Sequence, residues 1–226
     1  MSVGPWRAAL LAGAVALAGC SQAVAAETTY QAPVATRVAH EAAGLKTAVF
    51  SGGCFWGVEA VFSHIKGVTS AVSGYRGGSV AHPSYEQVSS GTTGHAESVR
   101  VTYDPAVVRY DQLLRVFFSV VADPTLKNRQ GPDEGTQYRA ALVPQSPEQR
   151  AVAAAYLAQM KASGVWKRPI VVQIEPAGTF WPAEAYHQDF AYHNPQQGYI
   201  VHWDLPKVAA LQAMFPTLYS PAFKTG

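Results

Sequence analysis

An α+β fold in two layers is predicted for this chain by three features of its sequence. Short apolar or alternating runs of strand length are interleaved with longer stretches of helical periodicity. Clusters such as Gly52-Gly53, Gly77-Gly78 and Asp104-Pro105 punctuate those runs as turns. The runs come in the order strand, helix, strand, strand, helix, strand, which is the split βαβ pattern of a ferredoxin-like sandwich. Such a fold has a mixed sheet with helices mainly on one face. The 226 residues are 48% apolar and 14% charged, against a usual charged share of roughly 25%. That composition suits one globular domain and excludes a charge-rich disordered chain or a coiled coil. With 17 basic and 15 acidic residues scattered along the chain and no basic run of five, no nucleic-acid partner is expected.

Thr47–Ser51 (TAVFS) is a short apolar run closed by Gly52-Gly53, and it reads as a buried strand followed by a tight turn. From Cys54 to Ile65, the residues Phe55, Val58, Phe62 and Ile65 form a helical stripe. Gly67–Gly74 reads as a strand, ended by Tyr75-Arg76-Gly77-Gly78, and residues 79–96 are polar and turn-rich, a long loop. Ser98–Tyr103 alternates in polarity and stops at Asp104-Pro105, as a half-exposed strand does. Tyr110, Leu113, Leu114, Phe117, Phe118 and Val121 define an amphipathic helix with Asp111 in its first turn. Asp123–Gly135 is a loop and Arg139–Val143 a strand. Ser146 then caps a helix with Pro147 at its first position, and Gly164 ends it. Ile170–Glu175 reads as a further strand, followed by a short helix near Ala183–Tyr192.

The N-terminus follows a different pattern. Residues 1–19 carry Arg7 and then the apolar run Ala8–Ala18, too short for the ~20 residues that a membrane-spanning helix needs. The run fits a secretory signal, and Leu17-Ala18-Gly19-Cys20 is similar to the lipobox of bacterial lipoproteins. That resemblance implies an exported chain anchored to a bacterial membrane through lipidated Cys20 and facing the periplasm, with Ser21 favouring the outer membrane. Ala23-Val24-Ala25 offers a competing cleavage site that would discard Cys20, and a third reading keeps Cys20 free or paired with Cys54. Residues 20–45, rich in Ala, Thr, Gln and Val, suit a flexible tether. The folded domain is then expected over 46–205, with 206–226 as a C-terminal tail.

Chemistry is expected first at Cys54, where a strand ends, two glycines turn the chain, and a helix begins. The helix N-terminus offers a partial positive charge and free N–H donors, which favour a thiolate and lower its pKa. The alternative is a small buried hydrophobe at a helix start. Ser84-Tyr85-Glu86-Gln87 and Gly91-Thr92-Thr93-Gly94-His95-Ala96-Glu97 supply donors and carboxylates from the loop before the third strand. Asn128-Arg129-Gln130-Gly131 through Gly135-Thr136-Gln137-Tyr138 supply more at a strand entrance, or form turn scaffolding only. The seven histidines show neither an HExxH motif nor an i, i+4 pair, so no metal site is expected. A thiol hydrolase pairing Cys54 with His95 leaves the Glu- and Tyr-rich blocks without a role.

These blocks carry a resemblance. Gly53-Cys54-Phe55-Trp56-Gly57, Tyr75-Arg76-Gly77-Gly78, Tyr85-Glu86-Gln87-Val88, Ser90 through Glu97, Asp104-Pro105, Asn128 through Gly131 and Gly135 through Arg139 resemble, in order and spacing, the A-type peptide methionine sulfoxide reductases. The resemblance covers roughly residues 47–205. It implies a ferredoxin-like α+β fold and reduction of the S epimer of methionine sulfoxide, free or in proteins, with no metal or organic cofactor; the export signal makes oxidised methionine in exported proteins the expected partner. By residue, it implies that Cys54 attacks the sulfoxide sulfur and that Phe55 and Trp56 hold the S-methyl group. It further implies that Glu97 protonates the oxygen, that Tyr85 and Tyr138 hydrogen-bond it, and that Asp133 places the substrate or a water. Two departures stand out. The tail Lys207–Gly226 has no cysteine, so a one-cysteine enzyme is expected, its sulfenic acid reduced by an external thiol or a thioredoxin-like protein. Ala122 and Pro132 also replace the residues usual before Asp123 and Asp133. The rival readings are a catalytically dead lipoprotein that binds methionine-rich partners and an oxidant sensor that stops at the Cys54 sulfenate.

Overall fold

The computed structural model describes Met1 and residues 30–226. The expected signal peptide, lipidation at Cys20 and the tether up to residue 29 lie outside the described residues.

β1 (Lys46–Gly52), β2 (Val68–Arg76) and β3 (Ala96–Tyr103) form the middle of the sheet with β6 (Ala140–Val143). Between them lie β4 (Arg129–Gln130) and β5 (Asp133–Glu134), a small separate hairpin. β7 (Gln173–Ile174) and β8 (Phe180–Pro182) close the two edges, giving the order β7-β6-β1-β3-β2-β8. Both β1 and β2 run antiparallel to β3, so they are parallel to each other with β3 between them. β6 is antiparallel to β1, so β3 and β6 are a second parallel pair, split by β1. This is the double split βαβ read from the segment order. β7 joins β6 in parallel and makes the sheet mixed.

The helices of the core are α1 (Phe55–Ser63), α3 (Tyr110–Val116) and α4 (Pro147–Ala162), with a short α2 (Tyr85–Ser89) before β3. The first three pack on the sheet face that carries Ala48, Phe50, Val99 and Val101. Phe50 is its centre, with the rings of Phe62, Phe117 and Tyr110 at 4.6, 5.7 and 6.1 Å. All four rings are fully buried, and each such side chain contributes roughly 1.5–3 kcal/mol.

Several elements depart from the pattern read in the sequence. The stripe over 110–121 is α-helical only to Val116 and continues as a π-helical turn, Phe117–Val121. There Ser119 Oγ donates to Arg115 O at 2.7 Å and accepts from Ala32 N–H at 2.9 Å, loosening the ladder. The loop over 79–96 contains α2, opened by a Ser84–Gln87 capping box. The strand expected over Ile170–Glu175 keeps only two residues. The helix expected near 183–192 breaks into a 3-10 turn, Ala185–His187, and α5 (Phe190–His193). The break is at Asp189, left-handed at φ 54°, whose N–H is taken by buried Glu59 at 2.9 Å.

The two ends also differ from expectation. Residues 30–45, expected as the end of a flexible tether, lie against the domain with Ala32, Ala35 and Ala39 buried. Pro33 O accepts from Tyr156 at 2.7 Å, Ala39 N–H donates to Asp111 at 3.0 Å, and Glu41 accepts from Tyr103 at 2.8 Å. Small side chains let this strap approach closely, and buried partners meet its polar backbone. Residues 206–226, expected as a tail, hold most of α6 (Leu205–Met214) and an extended return. Leu211 and Phe215 are buried, and Tyr219 bridges to Ile65.

Candidate active site

Cys54 is the N-cap of α1, a half-buried free thiol delivered by β1. Gly53 makes the turn possible at φ 94°, where a Cβ would meet Gln130 Cβ at 2.6 Å. Glu97, on β3 and 2% exposed, reaches across to accept the first free helix N–H, that of Phe55, at 2.9 Å. One α1 turn on, Gly57 leaves room for a second carboxylate. A Cβ there would lie 2.2 Å from Asp204 Oδ1. Asp204 ends a π-helical turn, Ile200–Asp204, and is buried.

The tyrosines come from two loops that are tied together. Tyr85 opens α2, and its N–H donates to Glu184 Oε1 at 2.8 Å, while Glu184 Oε2 accepts from Tyr75 at 2.8 Å. Tyr138 ends a 3-10 turn, Thr136–Tyr138. Its neighbour Gln137 donates to Ser89 O at 3.2 Å, joining this turn to α2. Asp133, on β5, accepts from Tyr199 Oη.

The aromatic wall is built around Trp56. Phe190 stacks on the indole at 3.9 Å and 10°, Tyr199 meets it edge-on at 5.9 Å, and Phe55 lies at 6.5 Å. The indole N–H donates to His187 Nδ1 at 3.1 Å.

Burial decides the protonation states. Glu97 is pushed up to about 8, chiefly by desolvation, with Asp133 and Asp204 adding to it and the Phe55 N–H opposing. At neutral pH it therefore holds a proton. The Cys54 thiol is also pushed well up, by burial first and then by Glu97, Asp204 and Asp133, against the Trp56 N–H. This corrects the expectation of a lowered thiol: the helix N-terminus helps, but desolvation and three carboxyls outweigh it. Burial also raises Tyr85, Tyr138 and Tyr199, so all three phenols are donors.

Cys54, Phe55, Trp56, Tyr85, Glu97, Asp133 and Tyr138 thus meet at one site, although Ala122 and Pro132 stand beside its loops. His95 does not join it as a base, because Nδ1 accepts from Gly78 N–H at 3.1 Å and Nε2 faces Val80 O at 2.8 Å. Sequence reasoning missed Tyr199, Asp204 and the part of His187. The first two stand in an aperiodic stretch that precedes the helix signal at Pro206. Among the described residues, no group of three or more His, Cys, Asp or Glu is placed to hold a metal ion.

An arrangement of a thiol, a protonated buried carboxylic acid, phenol donors and an apolar wall can protonate a polar oxygen while a sulfur nucleophile attacks beside it. Comparison with known proteins agrees. The model of the family described as peptide methionine sulfoxide reductase matches residues 46–217. The peptide methionine sulfoxide reductase MsrA 2 of Mesorhizobium japonicum is 54% identical over 179 residues, covering 79% of this chain and 92% of its own. That of Deinococcus radiodurans, MsrA, is 49% identical over 173 residues, covering 76% and 84%. Among solved structures, Mxr1 from Saccharomyces cerevisiae in reduced form is 32% identical with a TM-score of 0.60, over 72% of this chain and 93% of its own. Methionine sulfoxide reductase A of Corynebacterium diphtheriae is 31% identical with a TM-score of 0.57, over 74% and 88%.

Proposed function

The chain belongs to the peptide methionine sulfoxide reductase family and reduces methionine sulfoxide, and we propose that it acts on the S epimer with Cys54 as its one catalytic cysteine. The observation that carries this reading is the Glu97 carboxyl, buried, bonded to the Phe55 N–H beside Cys54 and held protonated at neutral pH. A sulfoxide oxygen leaves poorly until it is protonated, and a carboxylic acid with a pKa near 8 is a suitable donor.

In this mechanism the S-methyl group rests on Phe55 and Trp56, and the oxygen faces Glu97, Tyr85 and Tyr138. Glu97 gives its proton to the oxygen as the Cys54 sulfur attacks the sulfoxide sulfur, and the thiol proton restores Glu97. The phenols donate to the developing charge. Asp133, held by Tyr199, places the substrate or a water. The bond from oxygen to the substrate sulfur breaks and one to Cys54 forms, leaving methionine and Cys54–S–OH. Two electrons pass from the thiol sulfur to the sulfoxide sulfur. An external thiol, that of a small molecule or a thioredoxin-like protein, then displaces water to form a mixed disulfide. A second thiol frees Cys54 and leaves with the first as a disulfide. No prosthetic group is needed.

We further propose that the protein is a lipoprotein, exported and anchored through Cys20, with oxidised methionine in exported proteins as its substrate. The apolar run and the Leu17-Ala18-Gly19-Cys20 tetrapeptide support this. Two acyl chains suffice for stable anchoring.

The test assays separate S and R epimers with dithiothreitol, alongside Cys54→Ser and Glu97→Gln. Turnover of the S epimer alone, lost in Cys54→Ser and slowed about 10²–10³-fold in Glu97→Gln, is expected. Turnover of R, or activity surviving Cys54→Ser, would overturn the reading. Metabolic labelling with a fatty acid tests the anchor. Label lost in Cys20→Ala supports it, and an unlabelled chain beginning at Ala26 would replace it.

A further inference from the structure

His187 is the one imidazole in contact with the site, and the mechanism above gives it no role. It ends the 3-10 turn Ala185–His187 and is 2% exposed. Its ring lies 5.1 Å from Phe55, 5.7 Å from Trp56 and 4.4 Å from Tyr85, centroid to centroid. One side chain therefore touches both residues assigned to the S-methyl group and one of the tyrosines assigned to the oxygen. Its Nδ1 accepts the indole N–H of Trp56 at 3.1 Å.

We infer that His187 is a positioning residue for substrate binding, fixing the rotation of the Trp56 indole through Nδ1 and bracing Phe55 and Tyr85 by contact. This rests on the reading of Phe55 and Trp56 as the methyl-binding surface. The physical need is specific. Phe190 stacks on Trp56 in parallel, and such a contact lets the ring slide in its plane. A hydrogen bond at the indole edge removes that freedom.

To accept, Nδ1 must carry no proton, so the imidazole is neutral with its hydrogen on Nε2. The surroundings favour that form. Nε2 is buried and has no hydrogen-bond partner among the described residues. Burial lowers the pKa of the ring, against Glu184 and Glu86, the two acidic groups that face it. A buried polar atom left unbonded costs stability, and the service of Nδ1 to Trp56 accounts for keeping a histidine there.

The experiment is a double-mutant cycle on the full-length protein, reading KM and kcat separately with a methionine sulfoxide substrate. His187→Leu removes the acceptor, His187→Asn retains one near the position of Nδ1, and Trp56→Phe removes the indole N–H. The net worth of one hydrogen bond sets the scale, so His187→Leu is expected to raise KM about five- to tenfold with kcat within about threefold. His187→Asn should stay within about threefold of the wild-type KM. In the Trp56→Phe background, His187→Leu should add less than about twofold. An unchanged KM in His187→Leu, or the same rise with and without the indole N–H, would overturn the inference. Should the leucine variant fail to fold, His187→Asn is set against His187→Gln, whose amide oxygen lies nearer Nε2, and equal KM values for the two would refute it. A Trp56→Ala variant with an unaltered KM would instead refute the methyl-binding reading and this inference with it.

Discussion

Replacing Glu97 by Gln removes one titration and little else, because the amide keeps an oxygen that can accept the Phe55 N–H now bonded at 2.9 Å. In the wild type, burial moves the Glu97 pKa from 4.5 to about 8. The folded protein therefore binds one more proton than the unfolded chain between those values, and stability falls as pH rises through that window. Below 4.5 both states hold the proton and the effect is absent. Above about 8 it is complete. Each tenfold change in proton affinity is worth about 1.36 kcal/mol, so the displacement sets a ceiling of roughly 5 kcal/mol. Relaxation around the ionised carboxylate brings the expected effect to about 2–3 kcal/mol. The assay is urea unfolding of both proteins at pH 5 and pH 9. Glu59, pushed up to about 8 by burial and Asp189, titrates in the same window in both and cancels in the difference. Glu97→Gln should gain about 2–3 kcal/mol on the wild type between the two pH values, while its turnover falls about 10²–10³-fold. A stability difference that does not change with pH would mean that Glu97 is not a protonated acid in the folded enzyme, and the assigned proton donor would be wrong.

Three further outcomes follow from the same geometry. Gly57→Ala places a Cβ 2.2 Å from Asp204 Oδ1, and calorimetry should show a loss of about 1–3 kcal/mol; an unchanged Tm would mean that Asp204 is free to move. Deleting residues 30–45 removes the strap bonded to Asp111, Tyr103 and Tyr156, and a fall of at least about 3 kcal/mol in unfolding free energy is expected. A tether without structure would give no change. Cys54, raised by burial and by the carboxyls beside it, should react with iodoacetamide at pH 7 more slowly than free cysteine; faster reaction would show a resting thiolate.

The core of the fold was legible because its signals are local. β1 and β3 are bounded by Gly or Pro and show strand patterning, and the stripe beginning at Tyr110 has helical period. Their order alone gave the split βαβ arrangement. The edges were not legible for the opposite reason. β7 and β8 have two and three residues, too few for any period to show. The strap is buried through alanines, which leave no hydrophobic peak, and its stability comes from hydrogen bonds to side chains some 70–120 residues away. α6 had a readable start at Pro206 and an apolar spacing at Val208, Leu211 and Phe215, but it follows an aperiodic stretch.

The site divides in the same way. Cys54, Glu97, Tyr85 and Tyr138 stand in distinctive blocks, whereas Tyr199 and Asp204 come from a turn whose side chains meet the site only once the chain has folded back. What the sequence could not supply was the balance of charge. A cysteine at a helix start suggests an activated thiolate, yet the fold surrounds it with Glu97, Asp133 and Asp204 and withdraws it from water, so that the thiol stays protonated. The same withdrawal keeps the proton on Glu97. Each group thus rests in its neutral form. In the mechanism proposed above each needs the other to react, the thiol losing its proton as Glu97 gives its own to the oxygen of the sulfoxide. Such coupling guards Cys54, because an oxidant that does not dock beside Glu97 meets a thiol rather than a thiolate.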